Sequence, residues 1–142
     1  MHDFDNAAAV IGCQQTIHRF YAALDASDFD TVAACMTGDG YWPRQGRELR
    51  GPEQVRAALA DRPIGRTTAH LVQNLVVDVQ GPGDAIARFM TLVYRVDLPA
   101  AAAGPAPLPA PLSISAHEEH LRRSGDGQWL IAKKSARRIF GG

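Results

Sequence analysis

Asp25 stands where a carboxylate is uncommon, at the end of an apolar stripe. It follows Tyr21 by four residues and Ile17 by eight, so on a helix the three share one row. The helix dipole disfavours a negative charge at that end. Two readings stay open: Asp25 caps the next helix or faces solvent, or it flanks the buried stripe and serves a site. Ser27 and Asp28 are better placed for capping. "HEEH" at 117–120 has the residue types of a hydrolytic metal centre, in which histidines hold zinc and a glutamate handles the proton of bound water. That arrangement needs a helix and a different spacing. On a strand His117 and His120 point to opposite faces, so both read as ordinary strand residues and no metal is expected. "KKSARR" at 133–138 could touch nucleic acid, but on a strand it reads as a solvated or subunit-contact segment.

The whole chain argues in the same direction. It has 142 residues, with 15 basic residues against 15 acidic ones and no long run of either sign. A single domain over 1–142 is expected, long enough to bury a sizeable core. Balanced charge gives no footprint for nucleic acid or an anionic membrane, so the expected partners are small molecules or proteins. Cys13 and Cys35 have no metal-ligand spacing and read as small buried hydrophobes in a reducing compartment. No secretory leader pattern or bilayer-length apolar run is visible, and the cytoplasm is the expected location.

The elements that must position these residues change character once along the chain. Val10, Cys13, Ile17, Phe20, Tyr21 and Leu24 recur at helical spacing. A second helix is expected after Ser27, with Asp30 completing a variant capping box and Phe29, Val32, Ala33 and Met36 as its stripe. "TGDGYWPRQG" breaks the pattern, with a short strand around Tyr41, and "GPEQVRAALA" predicts a third helix with Pro52 in its first turn. From Arg66 onward four long strands follow as a meander, turning at "GPGD" (81–84) and "SGDG" (124–127). Residues 99–111, rich in Pro, Ala and Gly, predict a mobile or polyproline-like loop. The expected class is α+β, with three N-terminal helices on one face of a curved antiparallel sheet.

Strand 85–98 is apolar on both sides. Ile86, Met90, Leu92, Tyr94 and Val96 share one face, and Ala85, Ala87, Phe89 and Val93 the other. An antiparallel sheet with one wet face alternates cleanly. The second apolar face therefore predicts a partner subunit, with a homodimer packed sheet against sheet as the simplest form.

"FYAALDASDFDTVAACM", "LRGPEQVRAAL", "AHLVQNLVVDV" and "DGQWLIAKKSARR" follow in order and spacing the pattern of a known family. The chain resembles the SnoaL-like branch of the nuclear-transport-factor-2-like superfamily, whose cystatin-like, cone-shaped fold closes a curved sheet with helices. The resemblance covers nearly the whole chain. It implies a site built on Asp25 and His70, which match an aspartate ending the first long helix and a histidine early in the first long strand of that superfamily's scytalone dehydratase and hexachlorocyclohexane dehydrochlorinase enzymes. There the aspartate would hold Nδ1 of the histidine and leave Nε2 as general base near neutral pH. The expected substrate contacts are Tyr21, Tyr41, Trp42, Asn74, Tyr94 and Lys134. Lys134 aligns with an arginine of the dehydrochlorinases, and Tyr94 lies nearest the place of a second dehydratase histidine that this chain lacks. Asn74 shares a strand face with His70 if no bulge intervenes.

The activity so implied is a cofactor-free lyase, a dehydratase or related eliminating enzyme, acting on a small, largely apolar cyclic or polyketide-like substrate. Two alternatives come from other classes: a non-catalytic binding module, or a small subunit similar to that of aromatic-ring hydroxylating dioxygenases, which usually carry a longer N-terminal arm. A ketosteroid-isomerase reading is weaker, because "YWPRQ" offers no carboxylate. Fold analogy does not choose among these, since function sits in the site.

Overall fold

The computed structural model describes residues 3–99 and 103–141. Helix α1 (Asp3–Asp25) buries Cys13, Ile17, Phe20 and Leu24 at the spacing the sequence predicts. It lies tight against the sheet at Gly12, where a Cβ would stand 2.7 Å from Cδ1 of Trp129. One turn on, Thr16 donates to the carbonyl oxygen of Trp129 at 2.5 Å. Helix α2 (Phe29–Ala34) is capped by Asp28, whose side chain accepts from the Thr31 amide at 3.3 Å. This corrects the expected cap: Ser27 adopts φ 57°, a left-handed turn that reverses the chain before the helix begins. Met36, expected on the stripe of α2, instead opens strand β1 (Met36–Arg44).

Strand β1 turns back through Gln45 and Gly46, both at positive φ, into β2 (Arg47–Arg50). Two such residues suit a tight hairpin whose twist matches its strands. Helix α3 (Gly51–Leu59) follows, with Pro52 in its first turn and Val55, Ala58 and Leu59 buried. Strands β3 (Arg66–Gly81), β4 (Asp84–Asp97), β5 (Ser113–Arg123) and β6 (Trp129–Gly141) form the expected antiparallel meander. The sheet order is β2-β1-β6-β5-β4-β3, and β1 runs parallel to β6. The sheet is thus mixed rather than wholly antiparallel. Pairing between the first and last strands leaves no local trace in the sequence. Residues 103–111 belong to neither helix nor strand, and 100–102 of the predicted loop lie outside the described residues.

Two bulges decide which side chains reach the helices. In β3 the register to β4 shifts between Gln73 and Val76, with Asn74 at φ 57°, a conformation asparagine tolerates better than most residues. Before the bulge Arg66, Thr68, His70 and Val72 are the more buried members; after it Leu75, Val77 and Val79 are. In β6 the register to β5 shifts at Leu121, which pairs with Ile131 while His120 pairs with Lys133. Burial changes parity there too, from Trp129 and Ile131 to Lys134.

On the sheet's other face Leu71, Leu92, Ile114 and Phe140 lie directly opposite one another across four strands. Phe140 is 64% exposed and Leu71 43%. Among the described residues no helix is long and apolar enough to cross a membrane.

Candidate functional site

The end of α1 packs against the start of β3, whose inward side chains Arg66, Thr68 and His70 are polar, and two polar side chains meet there. Asp25 Oδ1 lies 2.6 Å from Nδ1 of His70. The His70 backbone amide donates to Oδ2 at 2.8 Å, and the Thr68 hydroxyl donates to Oδ1 at 2.8 Å. Arg62 supports this arrangement by donating to the Thr68 hydroxyl at 2.9 Å. Asp25 therefore neither caps α2 nor faces solvent. Burial pushes its carboxyl up, but the hydrogen bonds from His70 and Thr68 outweigh that and leave it below the usual carboxylate range. An ionised Asp25 can accept the Nδ1 hydrogen of His70, and that tautomer leaves a lone pair on Nε2.

His70 opens onto a cavity of about 310 Å³ between α1, α3 and the sheet. Tyr21, Trp42 and Lys134, three of the expected contacts, line it as well. Lys134 is buried against Glu119, with which it forms an ion pair, and it donates to the Tyr21 hydroxyl at 3.2 Å. Its ammonium also sits 4.1 Å from the centre of the Phe20 ring, a favourable place for a desolvated cation. Burial, with the negative charges of Glu119 and Asp25, holds the Tyr21 phenol well above its ordinary pKa. It stays protonated and can donate a hydrogen bond.

The other three expected contacts lie elsewhere. Asn74 is turned off the His70 face by the β3 bulge, and its amide meets the sulfur of Met90 at 3.7 Å. Tyr94 has the opposite parity to Thr91 and Val93, which line the cavity, and so faces away from the helices. Tyr41 lies at the β1–β2 hairpin with its hydroxyl 2.9 Å from Glu48 and the Arg50 guanidinium over its ring.

Two residues of "HEEH" reach the helix-covered face: His117, expected as an ordinary strand residue, and Glu119, which the sequence does not single out. His117 and Glu119 point inward, His120 outward, as two-residue periodicity requires. The available signal was parity: Glu119 shares a face with Leu121 and pairs in register with Lys134. Glu119 is fully buried, and burial pushes its carboxyl up against the opposing pull of Lys134. Thr91 Oγ1 and His117 Nε2 lie 2.8 Å apart, and the imidazole stacks on Phe89. Burial first, and then the charge of Lys134, lower the pKa of His117 to about 3. Among the described residues no group of three or more His, Cys, Asp or Glu side chains could hold a metal ion.

A neutral buried histidine makes acid destabilising. The folded pKa lies below the unfolded value of 6.5, so its contribution is complete above 6.5 and is lost as pH falls toward 3. The His117→Gln variant should therefore lose stability less steeply across that window, by up to about 1.4 kcal/mol per pH unit. Urea denaturation between pH 7 and 4 measures this, and parallel profiles for the two proteins would contradict it.

A family profile described as a SnoaL-like domain matches residues 7–135. No protein with a curated description matches the chain. Among solved structures, a Catenulispora acidiphila protein in complex with S-DNPA is 26% identical, with a TM-score of 0.72 over 93% of this chain and 94% of that one. ActVI-ORFA from Streptomyces coelicolor is 18% identical, with a TM-score of 0.75 over 93% and 98%. Hexachlorocyclohexane dehydrochlorinase LinA-type3 from Novosphingobium barchaimii LL02 is 16% identical, with a TM-score of 0.77 over 98% and 92%. At these identities the last two speak for the fold, which other neighbours' descriptions name NTF2-like and cystatin-like. The profile match spans most of the chain and agrees with the helices-on-sheet architecture: this protein belongs to the SnoaL-like family.

Proposed function

We propose that this protein is a cofactor-free lyase that eliminates a β leaving group from a small, largely apolar substrate bound in the cavity. The observation that carries the reading is the 2.6 Å contact between Asp25 and Nδ1 of a cavity-lining His70. In the proposed step Nε2 takes a proton from carbon, and the C–H electron pair forms the new double bond. The leaving group departs with the pair of its own bond, and Asp25 stabilises the imidazolium. The Tyr21 hydroxyl and Lys134 act on the substrate oxygen that gains charge, since preorganised donors there lower the barrier most. The ligand-bound neighbour at 26% identity supports the coarser part of the reading, that the cavity takes a small molecule. Cys13 and Cys35, both free and buried, fit a reducing compartment.

A screen of β-hydroxy carbonyl and halogenated cyclic compounds, read as alkene formation, tests the activity. Turnover that requires His70 supports the lyase. Saturable binding with no turnover across the set favours the non-catalytic binding module, and co-purification with a large iron-sulfur subunit favours the dioxygenase-type small subunit.

The apolar row Leu71, Leu92, Ile114 and Phe140 supports a homodimer through the sheet. Sedimentation at micromolar concentration should give a dimer that Leu92→Glu converts to monomer. A monomeric wild-type protein would overturn that assembly.

A further inference from the structure

The cavity's charge is one-sided although the chain as a whole is neutral. Arg44, Arg62, Arg66, Arg95 and Arg138 line it together with Lys134, and Asp61 is the one carboxylate among the lining residues. The chain's path explains the clustering. The ends of β1, β4 and β6, the start of β3 and the residues just after α3 all meet at the same end of the sheet and line the cavity there.

Three acidic side chains near the cavity, Asp97, Glu119 and Asp25, are already engaged, and among the described residues exposed Asp61 makes no ion pair with the arginines. Asp97 accepts from Arg66 at 2.7 and 3.1 Å and from Arg95 at 3.0 Å, and these contacts, Arg66 first, pull its carboxyl down to about 2. Glu119 is taken by Lys134, and Asp25 by His70 and Thr68. Arg44 differs. Among the described residues no carboxylate pairs with it; it reaches the Gln45 side chain at 3.4 Å and lies 5.5 Å from the centre of the Trp42 ring. Burial, then the like charges of Arg66, Arg47 and Arg62, lower its pKa below the usual guanidinium range. A half-buried guanidinium crowded by like charges is a costly arrangement for an empty surface and a useful one for an oxyanion, whose two or three acceptors match the guanidinium fork.

We infer that the substrate carries an oxyanion, a carboxylate or a phosphate, seated at Arg44 with Arg66 and Arg95 beside it, while its apolar body lies toward His70. This rests on the lyase reading for its orientation, but its charge requirement stands on the arginines alone. A cavity of about 310 Å³ suits a compact body of one or two rings with a charged end at the mouth.

The test uses three matched probes on the full chain by calorimetry: 3-hydroxy-3-phenylpropanoate, its methyl ester, and 2-phenylethyl phosphate. At low salt at least one anion should bind about tenfold more tightly than the ester, the preference a charge-assisted fork supplies. Arg44→Gln should abolish that margin without weakening the ester, and 0.5 M salt should reduce it in the wild-type protein. Which anion leads identifies the head group. Equal binding of acid, phosphate and ester, binding of none of them, or an unchanged margin in a folded Arg44→Gln protein would overturn the inference. Alkene formation from the ester as fast as from the acid would overturn it while leaving the lyase reading intact. Arg44-dependent anion binding in a protein inert toward every screened compound would do the reverse.

Discussion

The His70→Ala protein is expected to lose at least ~10²-fold in turnover of any eliminated substrate, the lower end of what a positioned general base contributes. Asp25→Asn should fall by a similar or somewhat smaller factor, with the fold and much of the ligand affinity kept. The reason lies in timing: both residues act mainly on charge that develops in the transition state, so kcat falls while KM moves little. Asp25→Asn is the sharper probe. An amide keeps the shape of the carboxylate and one acceptor oxygen for Thr68 or the His70 amide, whose donors lie 2.8 Å away. It removes the negative charge that would stabilise the imidazolium, and it can present an N–H that forces the wrong histidine tautomer. The double variant should be little slower than the worse single one, because a base without its orienting partner and a partner without its base are both idle. Steady-state kinetics on the best screening hit decides it. An unimpaired His70→Ala enzyme would end the lyase proposal, and fully multiplicative losses would mean that the two residues act separately.

Lys134→Met should produce the largest loss of stability among single substitutions at the site. The side chains of Lys134 and Glu119 are only 4% and 0% exposed, so removing the cation strands a carboxylate in a dry interior. Breaking one side of such a pair costs about 3–5 kcal/mol, a fall of roughly 10 °C or more in Tm for a chain of this size. The loss should depend on pH in a definite direction. Burial already raises the Glu119 pKa above its ordinary 4.5, and without Lys134 it rises further. A carboxyl whose folded pKa exceeds its unfolded value stabilises the fold only when protonated, so the deficit relative to wild type should shrink as pH falls toward 4.5. Adding Glu119→Leu to Lys134→Met should recover much of the loss, since neither charge then remains to be desolvated. Denaturant titrations at pH 8 and 5 test all three statements. A Lys134→Met protein within about 1 kcal/mol of wild type at both pH values would show that the pair is not held in a dry interior.

The sequence by itself determined three helices, a short strand around Tyr41 and four long strands in order, though not β2, because those elements rest on local periodicity. The stripe of α1, the proline start of α3, both strand turns and the α+β class follow from spacing alone, and the quoted segments carry the SnoaL-like resemblance. Asp25 was also legible as a carboxylate on the row of Ile17 and Tyr21. What only the tertiary structure decided is which strand residues face the cavity. Side chains alternate every two residues, so one inserted residue reverses all that follow. The β3 bulge at Asn74 keeps His70 inward but removes Asn74 from its face, and the β6 bulge turns Lys134 from a solvated strand cation into a buried one. His117 and Glu119 became site neighbours only when β5 was set against β6 and α1. The parallel pairing of β1 with β6, which brings Arg44 to the same mouth as Arg66 and Arg95, joins segments too distant in the chain for any local pattern to announce. Periodicity reports the face a residue prefers within its own element; long-range packing decides what stands opposite that face.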